Sequence, residues 1–380
     1  MDFNFSKKHL LMQDLYKKFS LNELKPTAAE TDETETFPHN TVLQLGRYGF
    51  LGIPLPRNYG GAGADNLAYA MAVEEFSKHC ATTGVIVSAH TSLCAAPIFE
   101  SGTDYQKEKY LPKLATGKWL GAFGLTESGA GTDAAQQQTT AVLDGDNYIL
   151  NGTKIFITNA GAAHVYIIIA MTDKSKGTRG LSAFIVEKDF TGFSVGKQEK
   201  KMGIRGSSTC ELIMRDCIVP KENLLGKEGQ GFSVAMKTLD GGRIGIAAQA
   251  LGIAQGAIDI TVNYVKERMQ FNKRISQFQN TQFELADMQT KADAARLLTY
   301  RAAFHKDSNE KYSSQAAMAK LFASEAASDI TRRCLQLHGG YGYTREYAIE
   351  RMMRDAKITE IYEGTSEVQK MVIASHMKVN

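Results

Sequence analysis

The spacing of apolar residues changes twice along the chain, near Gly121 and near Gly229, and no other feature restricts the fold as strongly. Before Gly121 the spacing is helical. Leu10, Leu11, Leu15 and Phe19 recur at three- and four-residue intervals, as do Ala68, Met71, Val73 and Phe76 between Asn66 and Lys78. Thr83 to Phe99 is apolar almost throughout, which predicts a buried helix. Between the two switches the pattern is β-like. Asp144-Gly145 separates two strand-like runs within Ala141 to Leu150, a hairpin signal. Lys154 to Thr158, Val165 to Ala170, Leu181 to Val186 and Cys210 to Val219 predict more strands. After Gly229 the helical period returns. It predicts one long helix from Gly231 to Arg268, with Gly241-Gly242 as the place to bend, then Gln279 to Asp307 and Ser313 to Leu337. Shorter helices follow over Arg351 to Ala356 and from Ser366 onward. The fold class is therefore α+β, with a helical domain over 1–120, a β domain over 121–228 and a helical domain over 229–380. The apolar faces of the last domain predict a bundle that continues across subunits.

Composition removes several function classes. With 44 basic and 41 acidic residues the net charge is +3, which argues against a general nucleic-acid binder. The five cysteines, Cys80, Cys94, Cys210, Cys217 and Cys334, are scattered and form no CxxC. That speaks against zinc or a disulfide framework and for reduced thiols in the cytoplasm. Met1 to Lys8 has no apolar core of a secretory signal. The longest aliphatic run, near Val165 to Met171, is too short for a membrane span. His79, His90, His164 and His338 lack metal-binding spacing, and no GxSxG accompanies them.

Two stretches carry chemistry. From Ile358 to Gln369 one helix stops and another starts. Gly364 can take the left-handed geometry that ends a helix, and Ser366 with Gln369 fits a capping box. Glu363 sits at the break, where its carboxylate can project as a base if its surroundings are dry. Taken alone, such an acid is more often a solvated helix end. Phe123-Gly-Leu-Thr-Glu-Ser-Gly-Ala-Gly-Thr-Asp133 is rich in glycine and hydroxyls, so backbone amides can approach a polar ligand. It is neither a Rossmann fingerprint nor a P-loop, and alone it reads as a turn.

Together with Lys154-Ile-Phe-Ile-Thr-Asn159, Gln336-Leu-His-Gly-Gly-Tyr-Gly342 and Arg354-Asp-Ala-Lys-Ile-Thr-Glu-Ile-Tyr-Glu-Gly-Thr365, these stretches occur in an order that resembles the acyl-CoA dehydrogenases, nearest to the short-chain (butyryl-CoA) branch. The likeness runs end to end. It implies an antiparallel middle sheet, a four-helix-bundle-like C-terminal domain, an FAD cofactor, a homotetramer, and electron-transferring flavoprotein as partner. It implies that Glu363 removes the α-proton of an acyl-CoA while flavin N5 takes the β-hydrogen as hydride, giving a trans-2-enoyl-CoA. In the family, the backbone N–H of this Glu and a ribityl hydroxyl of FAD polarise the thioester carbonyl.

By position, the resemblance assigns Phe123, Leu125, Thr126, Gly131 and Thr132 to the flavin and thioester, and Phe156 and Thr158 to the isoalloxazine. Arg268, Phe271, Gln279, Gln336, Gly339 and Gly340 match contacts to the diphosphate and adenosine, partly from a neighbouring subunit. Thr365, Ser366 and Glu367 match a further FAD contact. Asp240, Arg243, Tyr362 and Gly364 fall on the substrate side with Thr132. Read without the resemblance, Phe156 is simple strand core, Arg268 a solvated helix end and Ser366 a cap. In the isovaleryl and long-chain branches the catalytic Glu stands where this chain has Gly242, so Glu363 has no competitor there. Ser128 and Asn272 depart from the family's proline and glycine. The same site could run as an enoyl-CoA reductase, including within an electron-bifurcating complex. A non-catalytic helical binding protein is the reading that intact Glu363 opposes. The acyl length is left open, with C4 the best fit.

Overall fold

The computed structural model describes residues 5–378. Met1 to Asn4, part of the stretch read for a signal, lie outside it. Seven helices come first: α1 (Lys7–Phe19), α2 (Ala28–Thr34), α3 (His39–Arg47), α4 (Asn66–Ser77), α5 (Ala81–Ser88), α6 (Ala96–Ser101) and α7 (Asp104–Ala115). Eight strands follow: β1 (Gly121–Gly124), β2 (Thr140–Asp144), β3 (Asn147–Ile157), β4 (Val165–Met171), β5 (Leu181–Glu187), β6 (Phe193–Gln198), β7 (Cys210–Pro220) and β8 (Leu224–Leu225). Then come α8 (Gly231–Glu267), a small ribbon of β9 (Met269–Gln270) and β10 (Lys273–Arg274), α9 (Gln279–Asp307), α10 (Ser313–His338), α11 (Gly340–Tyr343), α12 (Ile349–Ile358) and α13 (Ser366–Met377).

The predicted hairpin joins β2 to β3, with Asp144 paired to Asn147 and Gly145 at φ 59°, the geometry that favours glycine at this turn. The sheet order is β6-β7-β3-β2-β4-β5-β8, with β1 beside β4. It is antiparallel except for β1 with β4 and the single β2–β4 pair Thr140–Met171. Strand β4 explains why its sequence is apolar at every position. Val165, Ile167 and Ile169 face Leu93, Ile98 and Leu111 from the helices. Tyr166, Ile168 and Ala170 face Tyr148, Leu150 and Leu212 from the same sheet. Alternate residues thus serve two cores.

A third core joins both helical regions through α8, whose Ile244, Ala247, Leu251 and Ile258 meet Tyr69, Val73 and Phe76 of α4 and Ile330 and Cys334 of α10. Helix α8 runs unbroken past Gly241-Gly242. The apolar stretch after Thr83 becomes α5 and α6 joined by a wider π-helical segment, Ala89–Ala95. In α1 the leucines do not form the core face. Leu10, Leu11 and Leu15 are exposed, and Tyr16 and Phe19 are buried instead. Phe283 and Leu297 of α9 are exposed as well, while Met288 is buried. Two helical stretches, Ala81–Ser101 and Gly231–Glu267, have the length and apolarity of a membrane span, yet 89% and 83% of those windows lie inside the fold.

Candidate active site

Glu363 stands between α12 and α13 in a left-handed turn, with φ 52° at Glu363 and 94° at Gly364. The cap of α13 is Thr365, whose hydroxyl accepts from Val368 N; the predicted capping role of Ser366 is not seen. Gln369 turns back and donates to the carbonyls of Gly364 (2.8 Å) and Glu363 (3.3 Å). On the other side of the turn, the Tyr362 hydroxyl donates to Gln249, which is itself held by the Ala81 carbonyl at 2.9 Å. A strained turn that is tied down on both sides keeps one orientation.

The carboxylate points inward. Oε2 is enclosed and has no hydrogen-bond partner, although the residue as a whole is only half-buried. It lies against Gly242 of α8, where an added Cβ would sit 2.0 Å from Oε2 and 2.8 Å from Leu93. Burial pushes the Glu363 pKa up to about 7, with Lys320 and Arg243 pulling the other way. A buried acceptor without a donor is costly in a folded protein. One poised near neutrality is suited to receive a proton.

Arg243 is buried and pairs with Asp240, which also accepts from Ser313. These two predicted substrate-side residues therefore lie beside Gly242 on the same helix. Leu93 belongs to the apolar cluster that holds Phe123 and Leu125, so the Glu363 carboxylate and the Phe123–Asp133 loop share one wall.

That loop adjoins the second predicted motif. Ile155 N–H donates to the Thr126 carbonyl at 2.9 Å. Phe156 has φ 59° at a register shift between Lys154 and Ile157, and its ring is 61% exposed. The plain core reading of Phe156 is overturned, because the bulge turns the ring out of the sheet. Thr158 is half-buried, Gly131 and Thr132 are exposed, and a Cβ at Gly131 would meet nothing within 4 Å.

Sequence reasoning passed over what anchors this loop. Lys154, fully buried, reaches Glu127 (2.7 Å), Gln137 (2.7 Å) and the Leu125 carbonyl (3.2 Å). Glu127 also accepts from Gln138 N and Thr139 N. A lysine inside an apolar strand was the available signal. Glu127→Ala should cost about 3–5 kcal/mol, because it leaves a buried ammonium without its counter-ion. Chemical unfolding of the variant measures this, and a loss within 1 kcal/mol, about the typical cost of any point change, would contradict it.

A second group of predicted residues lines an open groove of about 540 Å³: Arg268, Gln336, Gly339 and Gly340, with Tyr341 lying 5.3 Å from the Arg268 guanidinium carbon. Phe271 and Gln279 are exposed and outside the groove within this chain. Phe271 and Asn272, at φ 52° and 60°, form the two-residue turn of the β9–β10 ribbon. Asparagine tolerates that geometry, so the departure at position 272 leaves the turn intact.

These features fit FAD. Phe156 offers a flat aromatic face. Gly129, Gly131, Gly339 and Gly340 leave open space beside their backbones, where N–H groups can meet a ring edge or a diphosphate. Arg268 supplies a cation to the groove. Among the described residues no group of three or more His, Cys, Asp or Glu could hold a metal ion, and all five cysteines are free and buried.

A helix–sheet–helix fold with an enclosed carboxylate beside a flavin-compatible wall is that of a flavin-dependent oxidoreductase. The chain matches the family descriptions "Acyl-CoA dehydrogenase, N-terminal domain" over residues 6–118, "middle domain" over 122–217 and "C-terminal domain" over 229–378. It belongs to the acyl-CoA dehydrogenase family and is an FAD-dependent enzyme. It is 59% identical over 374 residues to "Acyl-CoA dehydrogenase, short-chain specific" of Clostridium acetobutylicum, covering 98% of this chain and 99% of that one. It is 50% identical to "Acryloyl-CoA reductase (NADH)" of Anaerotignum propionicum, over 98% and 95% of the two chains. The structure of butyryl-CoA dehydrogenase from Megasphaera elsdenii superposes with a TM-score of 0.98 at 50% identity, covering 99% and 100%. A chain solved in work on the electron transferring flavoprotein of Acidaminococcus fermentans and flavin-based electron bifurcation gives 0.99 at 54% identity, covering all of both.

Proposed function

We propose that this chain introduces a double bond between the α and β carbons of a short-chain acyl-CoA, with butyryl-CoA the preferred substrate. The observation that carries the reading is the enclosed, unpartnered Oε2 of Glu363. When bound, FAD would supply the acceptor for the β-hydrogen and its electron pair. The chain's own work is to place and dry the acyl group. Glu363 takes the α-proton, which a thioester gives up only when its carbonyl is polarised. Displacing water with the acyl chain strengthens each charge interaction around the base. Tyr362, Gly364, Asp240, Arg243 and Thr132 are assigned to the thioester and CoA side. Phe123, Leu125, Thr126, Gly131, Thr132, Phe156, Thr158, Thr365, Ser366 and Glu367 are assigned to the flavin. Arg268, Phe271, Gln279, Gln336, Gly339 and Gly340 are assigned to its diphosphate and adenosine end.

The assignment of Phe271 and Gln279 calls for a second copy, since both are exposed and lie outside the groove of their own chain. Exposed Phe271, Phe283, Leu297 and Tyr343 supply apolar surface for such contacts, in keeping with a homotetramer. The electron acceptor is an electron-transferring flavoprotein, and the five unpaired thiols suit a cytoplasmic setting. The three domains are taken as 1–120, 121–228 and 229–380.

Anaerobic addition of butyryl-CoA should bleach the visible flavin band of the purified protein. Rates across C4 to C16 thioesters should be highest at C4. A flavin left unbleached by every thioester in the series sinks the assignment. The reverse direction has its own support, because one relative is an acryloyl-CoA reductase and one solved neighbour comes from electron-bifurcation work. Crotonyl-CoA reduction by the reduced partner flavoprotein, with and without NADH, tells the two directions apart.

A further inference from the structure

Lys320 lies in the middle of α10, in a stretch of alanines that close-packing requires to be small: Ala316, Ala317, Ala319 and Ala323 are all buried. A lysine at such a place should be apolar or paired with an acid. Lys320 is fully buried, yet among the described residues no carboxylate is bonded to its ammonium. Its Nζ donates instead to one backbone carbonyl, that of Gly364, at 2.6 Å. Gly364 directly follows the base. Stranding a cation in the interior for the sake of one loop carbonyl costs stability, so the stability of α10 does not account for it.

The groups around the base come from four directions. Arg243 reaches it from α8, Tyr69 from α4, Tyr362 from the same turn and Lys320 from α10. Arg243 is already held by Asp240, which offsets much of its charge. The charges facing Lys320 are Glu363, Arg243, Glu360 and Glu367. Glu360 is paired with Lys357, and Glu367 is exposed. Among the described residues, Lys320 is therefore the cation near the base that no bonded acid neutralises.

We propose that Lys320 is a positioning residue for the reaction: its ammonium fixes the Gly364 carbonyl beneath the turn and holds the carboxylate of Glu363 in its charged form within a dry site. The inference rests on Glu363 being the base. In keeping with it, Lys320 is the larger of the two charges that oppose the burial effect on Glu363, and Glu363 in turn favours the charged form of Lys320, whose pKa burial lowers to about 8. Between about pH 7 and pH 8 both groups are largely in their charged forms, and each favours the charge of the other.

The test is the pH profile of kcat/KM in the flavin-loaded enzyme. In Lys320→Met the acid limb should move up by about one unit, which is about a fivefold loss at pH 7 and approaches tenfold at about pH 6 and below. At high pH most of the activity should return. A merely structural role would lower the rate by the same factor at every pH. Lys320→Gln separates charge from clamp, since it keeps a donor for Gly364 while removing the cation, and should shift the limb in the same direction. An acid limb unmoved in both variants overturns the proposal. So does failure of both variants to fold around flavin, because the residue's role is then structural. The underlying reading fails separately, if Glu363→Gln keeps its turnover.

Discussion

Glu363→Gln is expected to give a folded, yellow enzyme that binds acyl-CoA and turns it over at least about a thousandfold more slowly, a loss typical of removing a well-placed general base. The amide matches the carboxylate in size, so the contact with Gly242 is kept. It cannot accept the α-proton. The change should also stabilise the protein. Folding raises the Glu363 pKa from near 4.5 to about 7, so the unfolded chain ionises first as pH rises. Stability present below pH 4.5 is lost progressively up to about pH 7 and stays lost above it. At one pKa unit per 1.36 kcal/mol this amounts to on the order of 3 kcal/mol. Glu363→Gln should therefore melt at a higher temperature than the parent at pH 8 and at an unchanged temperature near pH 4. In the parent enzyme, kcat/KM should rise with pH through about 7, because the free enzyme must ionise its base. A variant that is slow but no more stable at pH 8 would mean that the carboxylate is hydrated after all.

The same residue shows where the sequence is readable and where it is not. The two changes of period locate the sheet between helical regions because burial enforces spacing, and spacing survives in the sequence. Helix α9 begins and ends where its pattern does, at Gln279 and Asp307. The motif Tyr362-Glu363-Gly364 singles out the proposed base. It does not reveal that Gln369 reaches back six residues to hold it, because that contact depends on how α13 leaves the turn. Ser366 and Thr365 are equally good caps by composition, and only the entry angle of α13 selects Thr365. Phe156 could not be placed from its strand pattern, since alternation assumes a regular pleat and the bulge breaks it. Leu10, Leu11 and Leu15 obey helical spacing yet face outward, because spacing gives a stripe and not the side on which the core lies. Lys154 and Lys320 were legible as oddities, charges among apolar neighbours. Their partners lie 27 and 44 positions away and needed the fold.

Gly242→Ala should damage catalysis far more than it damages the fold. By propensity alone it favours folding, since alanine inside a helix is better than glycine by about 1 kcal/mol. Its Cβ, however, would stand 2.0 Å from Glu363 Oε2 and 2.8 Å from a Leu93 methyl. Real atoms do not approach so closely, and the part best able to move is the far end of the glutamate. The cost therefore falls on placement of the base rather than on the fold. A shift of about 1 Å in a reacting group can cost about a hundredfold in rate. The expected result is a kcat lower by that order with little change in melting temperature, measured with butyryl-CoA on flavin-loaded protein. Equal losses of stability and rate would point instead to a disrupted α8. The geometry also explains why related branches can carry the base on this helix. Position 242 aims its side chain at the point that Glu363 reaches from the turn, so a carboxylate from either position serves the same place. Two carboxylates there would repel each other, and glycine at 242 is the residue that leaves the place to Glu363.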